Sequence, residues 1–205
     1  MVGASRKLDS SREADAEIES HGARGLAVAT RMQEPADVQA LVDASVAHFG
    51  GISIVVNNAA TVLDRPLDQV QPDTFAGAFA TNLLAPMLLV QAARPYLAAS
   101  GHGAVLNIIS IAADRATPDR YYYPPVKAGL AQVTRSMARD LAAQGIRVNA
   151  ISPGTFRTDM VTKAFDDRTL DAVARTTPLG RIGDPAELVG PALLLCSDAG
   201  SYVTG

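Results

Sequence analysis

"SGHGAVLNIIS" spans residues 100–110, and its reading decides the fold. The glycines and serine before Ala104 signal a turn, and the apolar, β-branched run that follows predicts a buried strand over 103–109. Ser110 then closes the strand at its carboxyl end. Working outward, "ISIVVNNAA" predicts a strand over 52–57, separated from the first by a long helix over about 72–98. On the other side, a helix over about 124–144 leads into "IRVNAIS", a strand over 146–152. The same alternation extends upstream, through the tail of a strand in residues 1–7, a polar helix over 10–21, the strand "RGLAVAT" (24–30) and a helix over 35–49. Pro35 suits that last helix's first turn. A final helix over about 185–197 follows Asp184-Pro185, and the chain stops at "SYVTG". Strands separated by helices imply right-handed crossovers and a parallel sheet with helices on both faces. The expected architecture is one doubly wound, Rossmann-type α/β domain. Ligands in such sheets bind at the carboxyl ends of the strands, where Ser110 lies.

Composition narrows the function. The chain has 205 residues, 48% hydrophobic and 19% charged, with a net charge of -3 and no basic block, which argues against a nucleic-acid surface. One cysteine, Cys196, excludes an internal disulfide and suits a reducing compartment, so a cytoplasmic location is expected. No apolar stretch is expected to approach the roughly twenty residues of a membrane span, the amino terminus does not read as a signal peptide, and no Cys/His cluster has metal-ligand spacing.

Chemistry enters with "YYYPPVK". Tyr123 and Lys127 are four apart, about 6 Å of helix rise, so phenol and ammonium can share one face. A nearby cation favours phenolate, bringing a group that titrates near about pH 10 closer to proton exchange with a substrate oxygen. Ser110 lies thirteen residues before the tyrosine and could hold that oxygen, and Asn82 lies twenty-eight before the serine. Pro86 lacks the N–H that would bond the Asn82 carbonyl, which predicts a kink and a free acceptor that a water could use to connect Lys127 to solvent.

Taken in order, these segments resemble the short-chain dehydrogenases/reductases over almost the whole chain. "VVNNAA" (55–60) is similar to the family's asparagine-rich segment, "TNLLAP" to the one with its active-site asparagine, and "NIIS" and "YPPVK" to those with its serine and Tyr-x-x-x-Lys. "VNAISPGTFRTDM", "PLGRIGDPAEL" and "SYVTG" resemble its later segments. The resemblance implies hydride transfer between a nicotinamide cofactor and a small-molecule carbonyl or secondary alcohol. Tyr123 would be general acid or base, and Lys127 would lower its pKa and hold the ribose. Ser110 would bind the substrate oxygen, and Asn82 would anchor a relay water. Asn58, Ala59 and Ala60, with Pro153, Gly154, Phe156 and Thr158, would join Tyr123 and Lys127 in cofactor contact. Ser5-Arg6-Lys7, at the end of the family's second strand, favours NADP(H), with NAD(H) possible. The family also implies a homodimer or homotetramer through the helices at 72–98 and 124–144.

The sequence departs from the family in several places. By comparison with the family the chain starts after its Thr-Gly-x-x-x-Gly-x-Gly turn and ends before its last strand, so a fragment of a longer enzyme is expected rather than a natural short form, with a sheet incomplete at both ends, two strand edges opened and weak cofactor binding. Arg31 stands where the family has an aspartate near the adenine, Ser53 where it has an aspartate before a strand, Ala60 where it has a glycine, and Val126 where serine is common. Gly101 and Gln144 replace basic residues of the acyl-carrier-protein reductases, which disfavours a protein-bound substrate. The segment over about 155–180 would form a lid, and Arg115, Tyr121 and Tyr122 would lie near the site. Two other readings are a non-catalytic scaffold or inactive fragment of the same fold and an extended relative acting on nucleotide sugars, although only about fifty residues follow "SPG".

Overall fold

The computed structural model describes the backbone of residues 1–205 and the side chains of all of them except Ser10. Its strands are β1 (Val2–Ser5), β2 (Leu26–Ala29), β3 (Ile54–Asn57), β4 (Ala104–Ile108) and β5 (Arg147–Ile151). Between them run α1 (Leu8–Ser20), α2 (Pro35–Phe49), α3 (Pro72–Phe79), α4 (Ala85–Ala99) and α5 (Tyr123–Leu141), followed after β5 by α6 (Asp159–Ala164), α7 (Asp167–Thr176) and α8 (Val189–Cys196). All pairings are parallel, as the strand-helix alternation demands, in the order β1-β2 and β3-β4-β5. The sheet is divided where two open strand edges were expected, because β1 and β3 are not hydrogen-bonded to each other.

Side-chain parity in the three-stranded sheet decides which helix covers what. Val55, Val105 and Val148 face one way and pack with Val42, Val90, Ala93, Leu97, Ala138 and Leu141 into the core. Ala104 and Leu106 face the other way, in register with Arg147 and Asn149. The Arg147 guanidinium donates to the carbonyls of Leu195 (2.7 Å) and Ser197 (3.0 Å), which ties the end of α8 to β5. β4 is thus buried on both faces, as its composition predicts, whereas Ile54 and Val56 of β3 are 46% and 50% exposed, so β3 is buried on one face only. Gly103 marks the close approach of α4 to this sheet: a Cβ there would lie 2.7 Å from the Leu97 carbonyl oxygen.

The long helix over 72–98 forms as one 28-residue run, Pro72–Ala99, interrupted by a π turn at Ala80–Leu84. The Ala85 N–H reaches back five residues to the Ala80 carbonyl. Pro86 has no N–H to close the next turn, so the wider turn forms where a simple kink was expected. By length and composition this run could cross a membrane, contrary to the expectation of no such stretch. Such a test is also met by core helices, and Val90, Ala93 and Leu97 lie in the core, at most 2% exposed. The proposed lid segment carries two helices the sequence reading left out, α6 and α7, which start on Thr158 and Asp166 as N-caps.

Candidate active site

Four segments bring the site together at the carboxyl ends of β3, β4 and β5. After β4 the chain turns at once: the Ile111 N–H donates to the Pro153 carbonyl (3.1 Å), linking the ends of β4 and β5, and Ser110 Oγ accepts from the Ala112 N–H (3.1 Å). That bond fixes the serine side chain at the start of a short 3-10 turn, Ile111–Ala113. Across from it, α5 begins at Tyr123, with Lys127 one turn further along the same face.

The two α5 side chains differ in their surroundings. Lys127 is 2% exposed, its ammonium lies 5.6 Å from the centre of the Tyr123 ring, and its Nζ donates to the Ile108 carbonyl at 2.6 Å. Burial holds the lysine down to about 8. Burial also raises the Tyr123 phenol above its usual range, the adjacent Ser110 hydroxyl lowers it, Asp64 raises it and Arg120 lowers it. The sequence reading expected the Lys127 ammonium to pull the phenol down. In this arrangement desolvation is the larger effect, and the lysine's hydrogen bond goes to the strand rather than to the phenol.

Asn82 is 1% exposed and acts as a clamp. Its Oδ1 accepts from the Thr61 N–H at 3.0 Å, and its Nδ2 donates to the Thr61 carbonyl at 3.0 Å and to the Ala78 carbonyl at 2.9 Å. The amide therefore holds the loop that carries Asn58, Ala59 and Ala60 against the π turn. A second polar chain lies beneath, missed from sequence: Asn57 Nδ2 donates to Asn107 Oδ1 (2.8 Å) and Asn107 Nδ2 to Thr134 Oγ1 (2.8 Å), joining β3, β4 and α5. Buried asparagines inside apolar strands were its only sequence signal, because hydrogen bonds between their side chains are what make such burial tolerable. Asp64 was also missed. Its Oδ1 accepts from the N–H groups of Tyr122 (3.4 Å) and Tyr123 (3.3 Å).

Other expected residues fall into two groups. Pro153, Gly154, Phe156 and Thr158 follow β5, with Phe156 bridged to Gly183 and Thr158 Oγ1 capping α6 through the Val161 N–H (3.4 Å). Ser5, Arg6 and Lys7 lie at the far end, on the separate β1-β2 pair. Ser5 Oγ donates to the Lys7 carbonyl (2.6 Å), and Arg6 and Lys7 are exposed. Arg31, beyond β2, is paired with Asp37 through Nε (2.9 Å) and one terminal nitrogen (3.1 Å), a two-point contact that neutralises it. Tyr122 is fully buried and its hydroxyl accepts from the Gln71 N–H (2.6 Å), so it is a core residue and not part of the site. Arg115 and Tyr121 line a cavity of about 650 Å³ whose described walls include Pro124 and Ala128 but neither Ser110 nor Tyr123.

For a nicotinamide dinucleotide, the donor set fits at both ends. The Tyr123 phenol, the Ser110 hydroxyl and the buried Lys127 amine lie together at one end, and Arg6 and Lys7, in no ion pair among the described residues, stand at the end of β1. Between those ends, the buried Asn57 Oδ1 has no hydrogen-bond partner among the described residues. No group of three or more His, Cys, Asp or Glu able to hold a metal ion occurs among the described residues.

Residues 2–205 match the family described as enoyl-(acyl carrier protein) reductase. The chain is 32% identical over 184 residues to a 3-oxoacyl-[acyl-carrier-protein] reductase, FabG, of Vibrio cholerae, a match covering 90% of this chain and 75% of that protein. Among solved structures, a gluconate 5-dehydrogenase from Burkholderia cenocepacia in complex with NADP and tartrate superposes with a TM-score of 0.91 at 30% identity, covering 99% of this chain and 80% of the other. A 7α-hydroxysteroid dehydrogenase complexed with NADH and 7-oxo glycochenodeoxycholic acid does so with a TM-score of 0.95 at 29% identity, covering 99% and 79%.

Proposed function

The chain belongs to the short-chain dehydrogenase/reductase family, and from that premise we propose that it transfers a hydride between a nicotinamide cofactor and the carbonyl or secondary alcohol of a small molecule, with Tyr123 as general acid and base. The single observation that carries this reading is the convergence of the Ser110 hydroxyl, the Tyr123 phenol and the buried Lys127 amine at the carboxyl ends of parallel strands. The nicotinamide, when bound, supplies or accepts the hydride.

Each residue then has a defined task. Ser110, held by the Ala112 N–H, orients the substrate oxygen. Tyr123 gives its proton to that oxygen during reduction and takes one during oxidation. Its raised pKa suits the acid role, because a phenol that stays protonated through neutral pH is ready to donate. Lys127 brings positive charge close to the phenolate that donation leaves behind, and Asn82 holds the adjoining loop in place through Thr61. Tyr123, Lys127, Asn58, Ala59, Ala60, Pro153, Gly154, Phe156 and Thr158 would hold the nicotinamide half. Two helices, over 72–98 and 124–144, would pair copies of the chain into a dimer or tetramer, the partly exposed Met87 offering apolar surface for that contact.

NADP(H) is the favoured cofactor. Arg6 and Lys7 are exposed and in no ion pair among the described residues, whereas Arg31 is already neutralised by Asp37. One charge-assisted bond to the extra phosphate corresponds to about tenfold in affinity. Titration followed by the fluorescence of the reduced nicotinamide should therefore give NADPH a Kd at least about tenfold below that of NADH. Arg6→Ala should narrow the gap, and tighter binding of NADH would overturn the preference.

A further inference from the structure

The first turn of α5 has an uncommon shortage of donors. A helix normally begins with four free N–H groups to satisfy, but residues 124 and 125 are prolines and have none. Tyr122, at the N-cap position with φ -108° and ψ -56°, provides no side-chain cap. The donors left in residues 122–125 are the N–H groups of Tyr122 and Tyr123, and both meet one acceptor almost sixty residues away, Asp64 Oδ1, at 3.4 and 3.3 Å. Both distances are long for such bonds, as expected for one oxygen shared between two donors. Asp64 Oδ2 is buried with no hydrogen-bond partner among the described residues.

We propose that Asp64 is a positioning residue for Tyr123: from the loop after β3 it supplies the N-cap that α5 lacks locally, and its carboxylate, held on the Tyr122 and Tyr123 N–H groups, brings a negative charge to the helix start that carries the phenol. The proposal rests on the reading of Tyr123 as the proton donor. Side-chain caps are worth keeping, since their loss commonly destabilises a helix start, and an anion is favourable at a helix N-terminus. Here the capped residue is also the reacting one. A shift of the first turn would move the phenol relative to Ser110, which belongs to a different segment and would not follow.

Four charged or polar groups act on the phenol: Ser110 from the end of β4, Arg120 from the loop before α5, Lys127 from α5 itself and Asp64 from the loop after β3. Burial sets the phenol high, and the Asp64 charge pushes it in the same direction, against Ser110 and Arg120. Asp64 thus helps keep Tyr123 protonated, which favours its role as a donor.

Two variants of the full chain separate the roles. Asp64→Asn keeps an acceptor oxygen and removes the charge, and Asp64→Ala removes both. Amide hydrogen exchange read residue by residue should show protection at Tyr122 and Tyr123 falling about tenfold or more in Asp64→Ala, with most of it retained in Asp64→Asn. In Asp64→Asn the rising limb of the pH profile for alcohol oxidation should move to lower pH, because phenolate forms more readily without the opposing charge. A residue with a merely structural role would not move that limb. Unchanged protection in Asp64→Ala, or an unmoved limb in Asp64→Asn, would overturn the proposal. If Asp64→Ala does not fold, the limb in Asp64→Asn decides. Exchange at the two amides does not depend on the chemistry of Tyr123, so loss of protection together with full turnover in Tyr123→Phe would reject the proposed function and leave the cap standing.

Discussion

Replacing Tyr123 by phenylalanine should lower turnover by about 100- to 10,000-fold, the range ordinarily lost with a general acid, while the fold is retained. The substitution removes one oxygen and keeps the ring, so the contact at 5.6 Å between the Lys127 ammonium and the ring face is preserved. The backbone N–H that binds Asp64 is also unaffected. What disappears is the proton itself. Turnover can be followed by absorbance of NADPH with a 7-oxo bile acid and simple ketones as probes, and urea denaturation checks that stability is unchanged. A variant within about threefold of wild type on a substrate that wild type reduces would show that the proton comes from elsewhere, since even modest acid catalysis contributes about 100-fold.

Lys127→Met should be as damaging to turnover, and it should change how stability depends on pH. The folded lysine is held down to about 8 by burial, against an ordinary value of 10.5. Between those pH values the unfolded chain binds more protons than the folded one, so stability rises with pH across the window. Burying the charged amine therefore costs stability below pH 8, and that cost fades as pH climbs to 10.5. The shift corresponds to on the order of 3 kcal/mol. Methionine fills a similar volume without the charge, but it leaves the Ile108 carbonyl without its donor, a loss of about 1 to 3 kcal/mol. The two effects roughly offset near neutral pH. Wild type should then gain on the variant by on the order of 3 kcal/mol from pH 8 to 10.5, measured as unfolding free energy in urea at several pH values. A difference that stays constant over that range would mean the amine is not buried as described.

Much of this was legible in the residues. The helix over 35–49 is observed at those bounds, because Pro35 starts it and Gly50, at φ 82°, ends it with a left-handed cap. Strand β4 is buried on both faces, as its mainly apolar run, broken only by Asn107, predicts. Ser110, Tyr123 and Lys127 meet because a strand end and a helix start are each read from local pattern, and parallel topology then brings them to the same side. The missing pieces share a physical character. Helices α6 and α7 are short, and their start signals, Thr158 and Asp166, lie in a polar stretch that reads as loop. The direction of the Tyr123 shift depends on burial, which no spacing reveals, so a motif that implies an activated phenol still leaves desolvation to be weighed against charge. Asp64 belongs with these, as its contact with α5 spans 59 residues.

A double-variant cycle on Ser110 and Tyr123 is the most direct test that the hydroxyl and the phenol act on one substrate oxygen. Turnover of NADPH is compared among wild type, Ser110→Ala, Tyr123→Phe and the double variant under saturating cofactor. Residues that work as a unit are strongly non-additive, so the double variant should be no slower than about the slower single variant. If the two losses multiply, the groups act independently, and the convergence on which the proposed function stands is contradicted.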